Sequence, residues 1–482
     1  MSQVDPPEVR LERAVEDPPR PPVPTGASPL PAREAARPHA PNARLRLLLQ
    51  DAGWGPAQLA LAIGKAAAER DLGLVCHRTT AGRWLEGVQP RPPFAALVLE
   101  CLSRRLGRRV TAQEAGLTRA PAAVADLSWE ADPVRKLTHL TDAELDPRRR
   151  TLPGAGVFTL SALALPYAPS ASRAADRLPG RARDAGAEQM RTMAAVFAAA
   201  ADQQGGQHVR ATLSAYLAHQ VIPRLHAATR AQARADVLSA AAQLTLLLGG
   251  MCVDAGHDGA AQHYQQIAAR LAADADDRTT LAIALRTMAA HAHDLSHHTP
   301  AVLNLAEQAA RHARHAPPAV RSYAHVQLAV LQAHHDRRAA LNSLAQAEKL
   351  FTRADSTPGP FSSYPPGALH YQRASTLATV GDHGAALKAL TVSLRLRAPG
   401  ERLPAALTRA RLAETHLRLG HLDQALPHWR AFLDVYPTLN SLRASRCLTA
   451  AARHLRPYRR HHGAAGVLDS VHALAGNRRN LP

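Results

Sequence analysis

The chain has 482 residues, 46% of them apolar but only 4% aromatic, and carries 58 Lys and Arg against 39 Asp and Glu, a net charge of +19. That length exceeds what one domain usually holds. Small apolar residues with no sustained β-branched alternation favour close-packed helices and make an all-helical protein the default reading. So basic a balance fits an anionic partner, nucleic acid before membrane, although an Arg- and Ala-rich composition also follows from genome bias.

Residues 1–41 are Pro-rich, with runs such as Pro18-Pro19-Arg20-Pro21-Pro22. They cannot bury a core, and the expectation is a disordered tail. The start has acidic residues and prolines instead of a basic region followed by an apolar one, so no signal peptide is expected.

Residues 42–120 read as a compact helical domain of five helices. Asn42 can cap a first helix carrying Leu45, Leu48 and Leu49. Gly53-Trp54-Gly55 breaks it, and Pro56 suits the first turn of a second helix with Leu59, Ile63 and Ala66 on its apolar face. After a longer connection than usual, from Arg70 to Cys76, comes the stretch on which the reading turns, His77 to Pro93. Thr79 is of the type that caps a helix. Ala81, Trp84 and Leu85, spaced i, i+3, i+4, form an inward stripe. Arg78, Thr79, Thr80 and Arg83 lie toward the start of this helix, the end that a recognition helix puts into the major groove. Gly87 suits the left-handed turn that ends it, and Arg91 in Pro90-Arg91-Pro92-Pro93 is placed for a phosphate. A fourth helix holds Leu97, Val98, Cys101 and Leu102. Thr111-Ala112-Gln113-Glu114 reads as the capping box of a fifth. The domain has twelve Lys and Arg against six Asp and Glu, a net of +6. Arg104, Arg105, Arg108 and Arg109 cluster, as a solvated face or, more sharply, as phosphate contacts.

This layout, with Arg83-Trp84-x-x-Gly87 and then Pro90-Arg91-Pro92-Pro93, resembles the Xre or phage-repressor type of helix-turn-helix. It resembles more closely the variant in actinobacterial regulators that join the domain to tetratricopeptide (TPR) repeats. The resemblance implies duplex DNA as partner, and control of differentiation or secondary metabolism. The chain departs from the pattern in its long connection at 70–76 and in Gly82, which weakens the recognition helix.

Residues 121–186 read as a linker, in which Trp129, Val134, Leu137 and Leu140 form a small helical bridge. Arg148-Arg149-Arg150 before the apolar run Val157 to Leu165 imitates a twin-arginine export signal. The run is internal and too short to span a bilayer, so a buried segment between domains is preferred. Pro166 to Gly180 reads as a loop.

Residues 187–476 carry a repeat. Gly256-His257-Asp258-Gly259-Ala260-Ala261, Gly381-Asp382-His383-Gly384-Ala385-Ala386 and Gly420-His421-Leu422-Asp423-Gln424-Ala425 are similar turns, each opening an Ala- and Leu-rich helix. From Ala386 to Ala425 the step is 39 residues, and so is the step from Ala301 to Ala340. Paired helices at such a period are the signature of a TPR-like α-solenoid, of about six units here, with degenerate ends. The alternative is a non-repetitive helical bundle. The whole is expected to be all-α.

Catalytic chemistry is not visible. Gly64-Lys65 lacks the rest of a phosphate loop, and no Ser–His–Asp set can be proposed from spacing. Cys76, Cys101, Cys252 and Cys447 form no CxxC pair, which argues against a disulfide framework or a zinc site and for a reducing cytoplasm. His291, His293, His297, His298, His334 and His335 read mostly as surface or helix-end residues, with no cofactor or metal expected. The sequence thus predicts a cytoplasmic, non-enzymatic transcriptional regulator. Its repeat would bind a protein or peptide or form a homodimer. The rival is a TPR adaptor with a vestigial helix-turn-helix.

Overall fold

The computed structural model describes residues 40–69, 72, 74–91, 93–108, 110–117, 129, 131–145, 158–160, 163, 184–228, 230–354 and 364–479. Almost all of the Pro-rich tail, the Pro166–Gly180 loop, Arg109 and Arg148 to Arg150 lie outside them. The described residues are helical, with no strand among them.

The first four helices are α1 (Ala43–Asp51), α2 (Pro56–Ala68), α3 (Arg78–Leu85) and α4 (Phe94–Leu106). Asn42 caps α1 as expected, its side chain accepting from the Leu45 N–H at 3.0 Å. The same amide donates to the Ala115 carbonyl at 3.0 Å, and the Asn42 N–H bonds the Leu85 carbonyl at 3.0 Å. One residue thus ties the start of α1 to the end of α3 and to the close of the domain. Leu45, Leu48, Leu59, Ile63, Ala81, Trp84, Leu97, Val98 and Leu102 fill a core of their own. The fifth helix does not form. Thr111 does accept from the Glu114 N–H at 3.1 Å, but the segment closes as a turn. Gly116 stands at φ +61, and a Cβ there would meet Asn42 Oδ1 at 2.5 Å. A left-handed residue two positions after the box stops the helix before it has nucleated.

Next comes α5 (Pro133–Leu145), followed by α6 (Ala185–Gln204), α7 (Gly206–Tyr216) and α8 (Ile222–Ala227). Helix α5 forms where a helical bridge is expected, and Trp129, Val134, Leu137 and Leu140 are buried in the same core as the helices that follow. Phe158 and Leu163, in the apolar run expected to be buried, join that core. Glu144 on α5 pairs with Arg210 on α7 at 2.9 Å. Residues 158–160 join the two parts of the molecule. Thr159 exchanges two backbone hydrogen bonds with the Gln262 side chain, at 2.8 and 2.7 Å, and the Leu160 N–H donates to buried Glu100 at 3.0 Å.

Six helical hairpins then follow in order: α9 (Ala231–Asp254) with α10 (Asp258–Asp274), α11 (Arg278–Asp294) with α12 (Pro300–His312), and α13 (Pro318–Gln332) with α14 (Arg337–Phe351). The remaining three are α15 (Pro366–Thr379) with α16 (His383–Arg395), α17 (Arg402–Arg418) with α18 (Leu422–Val435), and α19 (Leu442–Leu455) with α20 (His462–Arg479). Each hairpin packs on the next, so a face that one pair leaves open is covered by its neighbour. The fourth residue of the second helix is a fully buried alanine in four hairpins: Ala261, Ala340, Ala386 and Ala425. Ala301 breaks the register that its 39-residue step to Ala340 suggests. It is the second residue of α12 and exposed, and Val302 takes the buried place beside it. The turns inside the hairpins carry a left-handed residue at Gly256, Ser296, Gly381 and Gly420.

Helix α9 is long and apolar enough to cross a membrane, but 67% of its apolar window is buried. It is covered by α6, α7 and α10, the setting of a helix that is apolar on most sides.

The hairpins curve until the two ends of the row meet. The Asn440 N–H donates to the Gln204 carbonyl at 2.6 Å, and α17 packs on α6. Asp254, 1% exposed, accepts from the Gly206 N–H at 2.6 Å, the Ser441 hydroxyl at 2.5 Å and Arg443 Nε at 3.0 Å. The first and last hairpins are therefore tied together along this seam.

Candidate functional site

Helix α3 is eight residues long and opens at His77, whose side chain makes no capping bond. The expectation that Thr79 caps it is corrected: Thr79 is the second helical residue, because the chain already turns helical at Arg78. Its first N–H groups are left for solvent or a ligand. Ala81 and Trp84 are buried at 0% and 4%, and Trp84 meets Phe94 of α4 with ring centroids 5.8 Å apart. The opposite face is open. Arg78, Thr79 and Arg83 are exposed and Thr80 is half-buried. Thr79 and Arg83 stand one turn apart on one face. Arg91, beyond Gly87 at φ +96, is exposed as well. Among the described residues, none pairs with the side chain of Arg78, Arg83 or Arg91. Gly82 lies between them, where a Cβ would meet nothing within 4 Å beyond its chain neighbours and the backbone of its own helix.

The arginine cluster at the end of α4 is put to other use. Arg104 forms ion pairs with Glu69 and Glu100, both at 2.7 Å. Arg105 donates to the Ala52 carbonyl at 2.9 Å and lies 5.9 Å from the centre of the Trp54 ring. Arg108 pairs with Glu114 at 2.6 Å. These side chains hold α4 to its neighbours. The connection between α2 and α3 is long, as its sequence indicates. Leu72 and Leu74 pin it to the core, while Val75 is 71% exposed.

Residues 45–118 match the family described as the SP15 N-terminal domain. The match spans nearly all of α1 to α4 and the closing turn, and leaves the hairpins outside it. No curated protein matches the chain.

The hairpin row holds two further groupings. Along the first helices of the hairpins, Arg286 lies over Tyr323, its Cζ 3.9 Å from the ring centre, and donates to the Tyr323 hydroxyl at 2.8 Å. Arg411 is held charged by the Tyr371 hydroxyl and Glu414 beside it. Burial pushes the nearby Cys447 thiol up to about 12, so it is no nucleophile at neutral pH. None of the four cysteines lies in a disulfide among the described residues.

The histidines lie at helix ends and in the turns after them, as expected, but not all of them at the surface. His291 is buried at 3% and bonds Asp258 at 2.9 Å, so it is no surface residue. His293, His298 and His334 converge, one ring nitrogen of each lying within 4.8 Å of the others. Burial first, then the neighbouring imidazoles, hold His334 down at about 4. Burial also lowers His293 and His298. The cluster had a signal in the sequence: His297-His298 and His334-His335 precede the second helices of consecutive hairpins, so the repeat brings them side by side.

Proposed function

We propose that the chain is a DNA-binding transcriptional regulator. Its N-terminal helical domain docks duplex DNA through α3, and its hairpin row is a TPR-like solenoid that binds a protein or peptide or a second copy of the chain. The observation that carries this reading is the exposed stripe of Arg78, Thr79 and Arg83, set over a helix anchored by Ala81 and Trp84. Arg78 and Arg83 on a rigid short helix and Arg91 in the loop after it, with no partner among the described residues, suit a groove lined with phosphates and base edges. The uncapped start of α3 adds N–H groups that favour a phosphate. Four cysteines outside any disulfide agree with a reducing cytoplasm.

The test is selection of duplex sequences by the full chain, followed by a salt titration. A specific site should emerge. Its affinity should fall with a log–log slope of about −0.9 per phosphate engaged. No enriched sequence, or binding without salt dependence, would sink the proposal.

A second reading, an adaptor whose helix-turn-helix is vestigial, is favoured by the long Leu72–Leu74 connection and by the inward use of Arg104, Arg105 and Arg108. It expects a copurifying protein partner and no sequence-specific protection of DNA.

A further inference from the structure

His293 is the penultimate residue of α11, and His298 follows in the turn to α12. His334 comes from the equivalent turn of the next hairpin, after α13. Nε2 of His298 and Nδ1 of His293 lie 3.2 Å apart. The rings of His298 and His334 stack with centroids 3.6 Å apart, and those of His293 and His334 are 5.3 Å apart. A hydrogen bond can join two of these imidazoles but not three. Lone pairs facing one another are otherwise repulsive unless a cation stands between them. Metal–nitrogen bonds of about 2.0–2.1 Å at a tetrahedral angle put two ligand nitrogens about 3.3 Å apart, close to the 3.2 Å seen here. Three neutral nitrogens without an oxygen ligand do not suit calcium or magnesium. They do suit zinc and the neighbouring divalent transition metals.

We propose that His293, His298 and His334 bind one zinc-class divalent ion, with a fourth coordination position left to water or an external ligand. His293 and His298 are half-buried and set the site, while exposed His334 has room to tilt its ring from the stack toward the ion. Asp294, next to His293, places a negative charge beside the site, against Arg286 and Arg411. Because the three ligands come from the end of α11 and from the turns of two consecutive hairpins, the bound ion would staple those hairpins together.

The full chain, stripped with a chelator, is titrated with Co(II) followed by absorption, and then with Zn(II) in calorimetry. One equivalent of Co(II) should give visible ligand-field bands that Zn(II) abolishes. His298→Ala and His334→Ala should each weaken Zn(II) binding by roughly 10–100-fold or more, since even the loss of an outer-shell partner costs that much. His335→Ala leaves all three ligands in place and should bind as the parent does. Zn(II) should raise the melting temperature of the parent and of His335→Ala but not of His298→Ala, with circular dichroism showing each variant folded. Absence of a one-equivalent site in the parent overturns the proposal. So does binding to His298→Ala and His334→Ala with the parent's affinity, which would place the metal on other histidines.

Discussion

Asp254 and Arg443, 189 residues apart in the chain, meet at 3.0 Å where the first hairpin touches the last. The same carboxylate holds the Gly206 N–H and the Ser441 hydroxyl, so one buried side chain fastens the seam. Asp254→Ala leaves these donors without their acceptor, at about 1–3 kcal/mol for each that stays buried. The variant should melt well below the parent. Small-angle scattering should show a larger radius of gyration. An unchanged radius together with an unchanged melting temperature would show that the seam does not depend on this carboxylate.

Acid should tighten the same seam. Asp202 on α6 is pushed up to about 6 by desolvation and by the Glu401 charge, against Arg443 and Arg397. An acid whose folded pKa lies above its unfolded one binds its proton more readily when folded. Its contribution to stability therefore grows as pH falls from above 6 toward 4. Asp202→Asn should remove that slope, flattening urea midpoints between pH 4 and pH 7 relative to the parent. If parent and variant keep parallel profiles, Asp202 is not the titrating group.

What was legible in the sequence was local. Asn42 and Pro56 mark helix starts and Gly87 a helix end because capping and left-handed turns depend on adjacent residues alone. The phase of α3 followed from the spacing of Ala81 and Trp84. The repeat showed through its glycine turns and the buried alanines after them. Where the reading failed, a competing contact decided. Gly116, pressed against Asn42, ended a helix that Thr111 and Glu114 had signalled. Val302 replaced Ala301 in the core because Pro300 shifts the start of α12. Nothing local announces that Asp254 will find Ser441, or that Arg104 will be spent on Glu69 and Glu100. Those contacts exist only once the hairpin row and the N-terminal domain have folded.

Arg83 and Trp84 are neighbours that face opposite ways, and the pair tests the candidate interface. Trp84→Ala empties a site that is 4% exposed, which costs about 3–5 kcal/mol, a large part of the stability of a small domain. Arg83→Ala should leave the melting temperature nearly unchanged. Against the selected duplex it should cost about 1–3 kcal/mol and relax preference at one base if it reads a guanine. If it touches phosphate alone, affinity should drop evenly across sequences and the salt slope should shrink by about one. Intact DNA binding by Arg83→Ala would remove this residue from the interface.

Gly82 separates two further explanations of that helix. A glycine inside a helix costs about 1 kcal/mol relative to alanine, and here a Cβ would meet nothing within 4 Å beyond its chain neighbours and the backbone of its own helix. Gly82→Ala should therefore raise the melting temperature of the free protein, since nothing within the fold requires a glycine there. A reason for glycine at this position would then lie outside the fold. If α3 lies against a DNA backbone or base edge, the added methyl group stands between Arg78 and Arg83 and should weaken binding to the selected duplex while the protein itself becomes more stable. Opposite signs for stability and affinity would put the face of α3 at the DNA. A variant that is more stable and binds as tightly as the parent would leave Gly82 outside the contact and move the interface toward Arg91. A variant less stable than the parent would contradict the open space seen around Gly82, and with it the exposure of the whole Thr79–Arg83 face.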